Sequence, residues 1–161
     1  MIVSNAQWQR LELTAITLQN LDEIRRFVRS ALDAGGVSDL AEAVVLAVDE
    51  VCANLVMHGY AGRSAGHVGI ALAVDTDAVR IVVEDEGHPF HPNEAPLPDM
   101  TTDWSKRQVG GLGWFLVRRL MDSVEYEIRP DGNRLSLMKR RGHTATRTSG
   151  TTITPQGDRR G

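Results

Sequence analysis

The chain has 161 residues, 42% hydrophobic and 24% charged, with a formal net charge of -3. That describes one globular domain large enough to bury a sizeable core, and it gives no basis for nucleic-acid or membrane-surface binding. A single cysteine, Cys52, excludes an internal disulfide. No charged start followed by an apolar run opens the sequence, and no apolar run approaches the ~18 residues of a membrane span, so a cytoplasmic protein is expected.

Trp8 to Ile16 reads as a strand, with Leu11, Leu13 and Ala15 alternating against Arg10, Glu12 and Thr14. Leu18 to Ala34 reads as an amphipathic helix with Leu21, Ile24, Phe27, Val28 and Leu32 on its inner side, ended by Gly35 and Gly36 as an αL cap. Ser38 is then the expected N-cap of a helix running to His58, on which Leu40, Val44, Val48, Val51 and Leu55 form the apolar face. Two strands follow, His67 to Val74 and Ala78 to Glu84, the second nearly all apolar as a central strand would be. From His88 to Gln108 periodicity is lost; a loop of that length is usually functional or mobile. Trp114 to Met121 reads as a helix offering Phe115, Leu116, Leu120 and Met121 to the core. Val124 to Ile128 and Arg134 to Lys139 read as a hairpin around Pro130-Asp131-Gly132-Asn133. Residues 8–141 are therefore read as one domain and 142–161, rich in Thr, Gly and Arg, as a disordered tail. The order β-α-α-β-β-loop-α-β-β predicts a two-layer α+β sandwich, with helices on one face of a mostly antiparallel sheet.

Three constellations stand out. Glu50, Asn54 and His58 recur every four residues and form a polar stripe bordering the helix's apolar face. Alone, E-x-x-x-N is common. Asp85-Glu86-Gly87 ends the central strand; a carboxylate there can accept a hydrogen bond from an exocyclic amine, and the glycine would admit a flat ring, although D-x-G is also an ordinary turn. Gly110-Gly111-Leu112-Gly113 leads into a helix, where bare N–H groups suit phosphate oxygens or simply form a hinge. The fingerprint G-x-G-x-x-G fails at Leu116, and G-x-x-x-x-G-K-[ST] is absent. His67, His88 and His91 invite a zinc site, but no cysteine supports one and the loop spacing is wrong.

Together the three segments, in this order, resemble the Bergerat-type (GHKL) ATP-binding fold of gyrase-type ATPases and histidine kinases. Within it the sequence is most similar to the bacterial anti-sigma factor serine/threonine kinases. The likeness is carried by Leu46-Ala47-Val48-Asp49-Glu50-Val51-Cys52-Ala53-Asn54, His58-Gly59-Tyr60, Val83-Glu84-Asp85-Glu86-Gly87-His88-Pro89-Phe90 and Gly110-Gly111-Leu112-Gly113-Trp114-Phe115-Leu116-Val117. It covers about Leu11 to Lys139. The short chain and the lack of a phosphoacceptor-histidine hairpin favour that subgroup over histidine kinases.

The resemblance implies ATP and Mg²⁺ as cofactors. Asn54 would be the metal ligand touching the phosphates and Glu50 the base for the attacking hydroxyl. Asp85 would bind the adenine amine, with Gly87 close to the base. Gly111, Leu112 and Gly113 would hold phosphates, and His88 to Gln108 would form an ATP lid from which Lys106 or Arg107 reaches them. His58 would pack behind these groups. Where the wider fold often carries an adenine-contacting threonine, only Ser136 is available. The implied function is an ATP-dependent serine/threonine kinase that phosphorylates an anti-anti-sigma (STAS) protein and sequesters a sigma factor, as a homodimer. The alternative is a non-catalytic ATP-binding regulatory module that holds a partner without phosphate transfer.

Overall fold

The computed structural model describes residues 6–89 and 111–142. Five strands, β1 (Gln9–Leu13), β2 (Val68–Val74), β3 (Ala78–Asp85), β4 (Ser123–Arg129) and β5 (Gly132–Arg140), form one sheet in the order β1-β2-β3-β5-β4, each neighbouring pair antiparallel. Helices α1 (Leu21–Ala34), α2 (Ala41–Asn54) and α3 (Gly111–Leu120) make the second layer. The two-layer sandwich expected from the order of elements is the one found.

Side-chain alternation decides which face of the sheet is covered. Val79, Ile81 and Val83 of β3 and Leu135 and Leu137 of β5 are buried in the core with the helices. Arg80 and Glu84, the alternate β3 residues, enter ion pairs with Asp75 and with Arg10 and Arg129. From the helix layer Ile24, Val28 and Leu32 of α1 and Val44, Val48 and Val51 of α2 complete the core, each fully buried Val, Leu or Ile worth about 1.5–3 kcal/mol. Gly36 ends α1 with a positive φ of 72°. The N–H of Val37 bonds to Leu32 O and that of Gly36 to Asp33 O, the paired bonds of a Schellman cap.

Four local expectations are corrected. Ser38 does not cap α2: it lies within a 3-10 turn, Ser38–Leu40, and its hydroxyl donates to Asp33 Oδ1 at 2.6 Å, drawn there by the tight turn after α1. The central helix does not run as α-helix to His58. It ends at Asn54 and continues as a π-helix, Leu55–Gly59, with Tyr60 N–H bonding Leu55 O at 3.2 Å. Helix α3 begins at Gly111, not Trp114, and its buried large residues are Trp114 and Val117, followed just past its end by Met121 as expected, while Phe115, Leu116 and Leu120 are half-buried. A ten-residue helix fits two apolar phasings, and packing on α2 chooses this one. The last hairpin turns more tightly than expected, with Arg129 paired to Gly132. The proposed tail from 143 onward lies outside the described residues. Among the described residues, no helix is long and apolar enough to cross a membrane.

Tyr60 ties the end of the π-helix to the sheet. Its hydroxyl donates to His67 O at 2.6 Å and accepts from Glu86 N–H at 2.9 Å, bridging the start of β2 and the end of β3. A Cβ on Gly66 would collide with its ring. Tyr60→Phe removes two part-buried hydrogen bonds at once, each worth about 0.5–1.5 kcal/mol, so it should lower the unfolding free energy by about 1–3 kcal/mol. The urea midpoint at constant m-value checks this.

Candidate nucleotide site

Between the C-terminal end of α2, the π-helix, the end of β3 and α3 lies a cavity of about 250 Å³, walled by Val51, Asn54, Leu55, His58, Gly59, Val83, Asp85, His88, Pro89, Trp114, Tyr126 and Leu135. Two of the three sequence constellations, those of Asn54 and Asp85, contribute directly to its wall. Trp114, following the third, closes one side. The lining is mostly apolar with a few polar groups, as in small-molecule sites.

Asn54 is the last residue of α2, and its Nδ2 is buried without a hydrogen-bond partner among the described residues. Such an orphan costs about 1–3 kcal/mol in a packed interior. The side-chain amide at the cavity wall, with an oxygen suited to a hard cation, fits a Mg²⁺ ligand, since that ion takes one or two protein oxygens plus phosphates and water.

Glu50 stands one turn earlier. It does not line the cavity but lies against α3: a Cβ on Gly113 would fall 2.7 Å from Glu50 Oε2 and 3.2 Å from Asn54 Nδ2. Glycine at 113 is thus what lets α3 approach this pair of side chains. Burial, and secondarily the charge of Asp49, raises the Glu50 pKa above the usual carboxylate range. Asp49 itself is turned away, its Oδ1 bonded by Arg25 Nε of α1 at 2.7 Å.

Asp85 ends β3. Its Oδ1 accepts from Gly87 N–H at 2.8 Å and from Asn133 Nδ2 at 2.9 Å, and Oδ2 has no partner among the described residues. Burial raises its pKa, while the two hydrogen bonds oppose that rise. Gly87 is buried, and a Cβ there would fall 2.7 Å from Gly59 O. His88 N–H donates to the same Gly59 carbonyl at 2.7 Å. Gly87 does not line the cavity; its missing side chain lets the strand end close on the π-helix.

Lys106, Arg107 and most of the expected lid lie outside the described residues, as does His91. Gly111 opens α3, followed by Leu112 and Gly113. Ser136 is not a cavity residue. It lies on the face of β5 opposite Leu135 and Leu137, paired with Val82 and Glu125, so it cannot reach the cavity wall formed by Leu135. Sequence reasoning missed Asn133, which is 4% exposed and was read only as part of a turn. Its contact with Asp85 is set by the β3–β5 register across 48 positions, so the local sequence carries no signal for it. His67 pairs with Glu12 at 2.6 Å, and no three of His, Cys, Asp and Glu gather as metal ligands among the described residues.

Compared with known proteins, the profile of the histidine kinase-like ATPase domain matches residues 14–139, and the chain belongs to that family. More particularly, it is similar to the serine-protein kinase RsbW of Bacillus licheniformis, 35% identical over 96 residues, 56% of this chain and 59% of that kinase. It is 33% identical over 99 residues to RsbW of Bacillus subtilis strain 168, 58% of this chain and 61% of that one. The chain spans about three-fifths of the length of these curated relatives. The crystal structure of the RsbU and RsbW domains of Rv1364c from Mycobacterium tuberculosis shares the fold, with a TM-score of 0.56 at 20% identity over 82% of this chain and 32% of that one. The Bergerat-type fold expected from the three motifs is thereby established.

The raised carboxylates have a thermodynamic consequence. An acid whose pKa is higher folded than unfolded binds more protons in the native state, so its contribution to stability falls as pH rises from the ordinary value of about 4 through the raised one. Glu50→Gln and Asp85→Asn remove that loss. Relative to the wild type, both variants should gain stability between about pH 4 and pH 7, read from urea titrations at each pH. A constant difference across that range would contradict the assignment of the shifts.

Proposed function

We propose that this protein is an ATP-dependent serine/threonine kinase of the anti-sigma type. The carrying observation is the convergence of Asn54 and Asp85 on one cavity, with Glu50 one helical turn away against Gly113. Similarity to proteins named serine-protein kinase supports a kinase over other members of the wider fold. The phosphoacceptor is a serine or threonine of an anti-anti-sigma (STAS) protein. A sigma factor is the sequestered partner, and the active form is a homodimer; these partners come from the family resemblance.

Asp85 Oδ2 accepts the adenine amine, and the Gly111-Leu112-Gly113 segment contributes backbone N–H groups to the phosphates. A Mg²⁺ ion bound through Asn54 Oδ1 would offset phosphate charge. Glu50, made more basic by its burial, accepts the proton of the attacking hydroxyl. That oxygen bonds to the γ-phosphorus as the bond to the β–γ bridging oxygen breaks, and ADP leaves. Lys106 and Arg107 are assigned to the phosphates.

A second reading, a module that binds ATP and a partner without transfer, is favoured by the position of Glu50 beside the cavity instead of in its wall. Phosphate transfer from radiolabelled ATP to STAS proteins of the same genome separates the two. Glu50→Gln should reduce transfer by about 10²–10⁴-fold while ATP binding, followed by tryptophan emission, persists. Asp85→Asn should abolish the emission change produced by ATP with Mg²⁺. ATP binding by the wild type without transfer to any STAS protein would establish the module instead.

A further inference from the structure

Asn133 is held opposite Asp85 by the β3–β5 register, and its side chain is buried at 4% exposure. Nδ2 donates to two acceptors, Asp85 Oδ1 and Gly87 O, both at 2.9 Å. With Gly87 N–H also on Oδ1 at 2.8 Å, that oxygen accepts two bonds. The carboxylate therefore cannot rotate without breaking them, and Oδ2 is the oxygen left for a ligand. Gly132, at φ +150° and where a Cβ would collide with the Asp85 carbonyl oxygen, lets the backbone of β5 come near enough for this bridge.

We propose that Asn133 is the positioning residue that aims Asp85 at the exocyclic amine of the base, and thereby determines selection of amino-purine over oxo-purine nucleotides. The inference rests on the assignment of ATP to this cavity. The chemistry is directional. Oδ2 of a carboxylate is an acceptor, so it favours a donor at the purine 6-position and opposes a carbonyl oxygen there. A fixed acceptor discriminates more strongly than a mobile one, because a ligand that cannot satisfy it leaves a buried polar group unpaired. No other described side chain bonds to the Asp85 carboxylate.

The test measures dissociation constants of the full chain for ATP, GTP and purine riboside triphosphate, which lacks the 6-amine, by calorimetry. The wild type should bind ATP about 10- to 100-fold more tightly than the amine-free analogue, the value of a hydrogen bond to a charged group. In Asn133→Ala that ratio should fall towards one, while affinity for the amine-free analogue stays within about two-fold of the wild type. Should Asn133→Ala fail to fold by near-UV circular dichroism, Asn133→Ser, whose hydroxyl restores one donor, should show an intermediate ratio. Equal weakening of all three nucleotides, or an unchanged ratio, would overturn the role of Asn133 and leave the nucleotide assignment standing. A wild type that binds ATP without preferring it to the analogue would do the same. A wild type that binds none of the three would overturn the nucleotide assignment, and this inference with it.

Discussion

Placing a carboxylate at the end of a buried strand requires compensation, and the way Asp85 is compensated organises the functional end of the molecule. Two donors, one from the next turn and one from β5, saturate one oxygen. The same turn is sealed against the π-helix by the contact of Gly87 and His88 with the Gly59 carbonyl. The strand end, the hairpin and the end of the central helix are thus joined by hydrogen bonds around one anionic group. Burial still wins over those bonds, since the carboxyl pKa remains raised. The fold thus retains an electrostatic cost at this carboxylate.

The central helix carries a related compromise. Its inner face is a continuous apolar packing surface, while Glu50 and Asn54 stand at the border of that face. Both are kept partly away from water, one with a raised pKa and the other with an orphaned N–H. Neither improves folding. Such locally unfavourable groups clustered beside one cavity are a physical sign of a site. The core around them, with Ile24, Leu32, Val44 and Ile81 fully buried, supplies the stability that tolerates them.

Much of this was legible in the sequence, because the relevant signals are local. Helical periodicity, strand alternation and one nearly continuous apolar run located the three helices and five strands of the described residues, and motif order brought Asn54 and Asp85 to one place. What escaped depended on contacts between distant segments. Asn133 bonds to a residue 48 positions earlier, which follows from strand register and not from its neighbours. Ser136 was a reasonable substitute for a family threonine by position, yet strand alternation puts it on the wrong face. The π-helix has no composition signal in Leu55–Gly59, and the close approach of α3 to Glu50 at Gly113 is a contact between segments more than 60 residues apart.

Cys52 lies between Glu50 and Asn54 in sequence, with its side chain wholly inside the protein and its thiol pushed up to about 12. Because alkylating reagents react with the thiolate, this sulfur stays silent while the central helix remains seated on the sheet. It becomes reactive when that helix lifts. The molecule thus carries, in its single sulfhydryl, an intrinsic clock whose labelling rate times the opening of the segment on which the site is built.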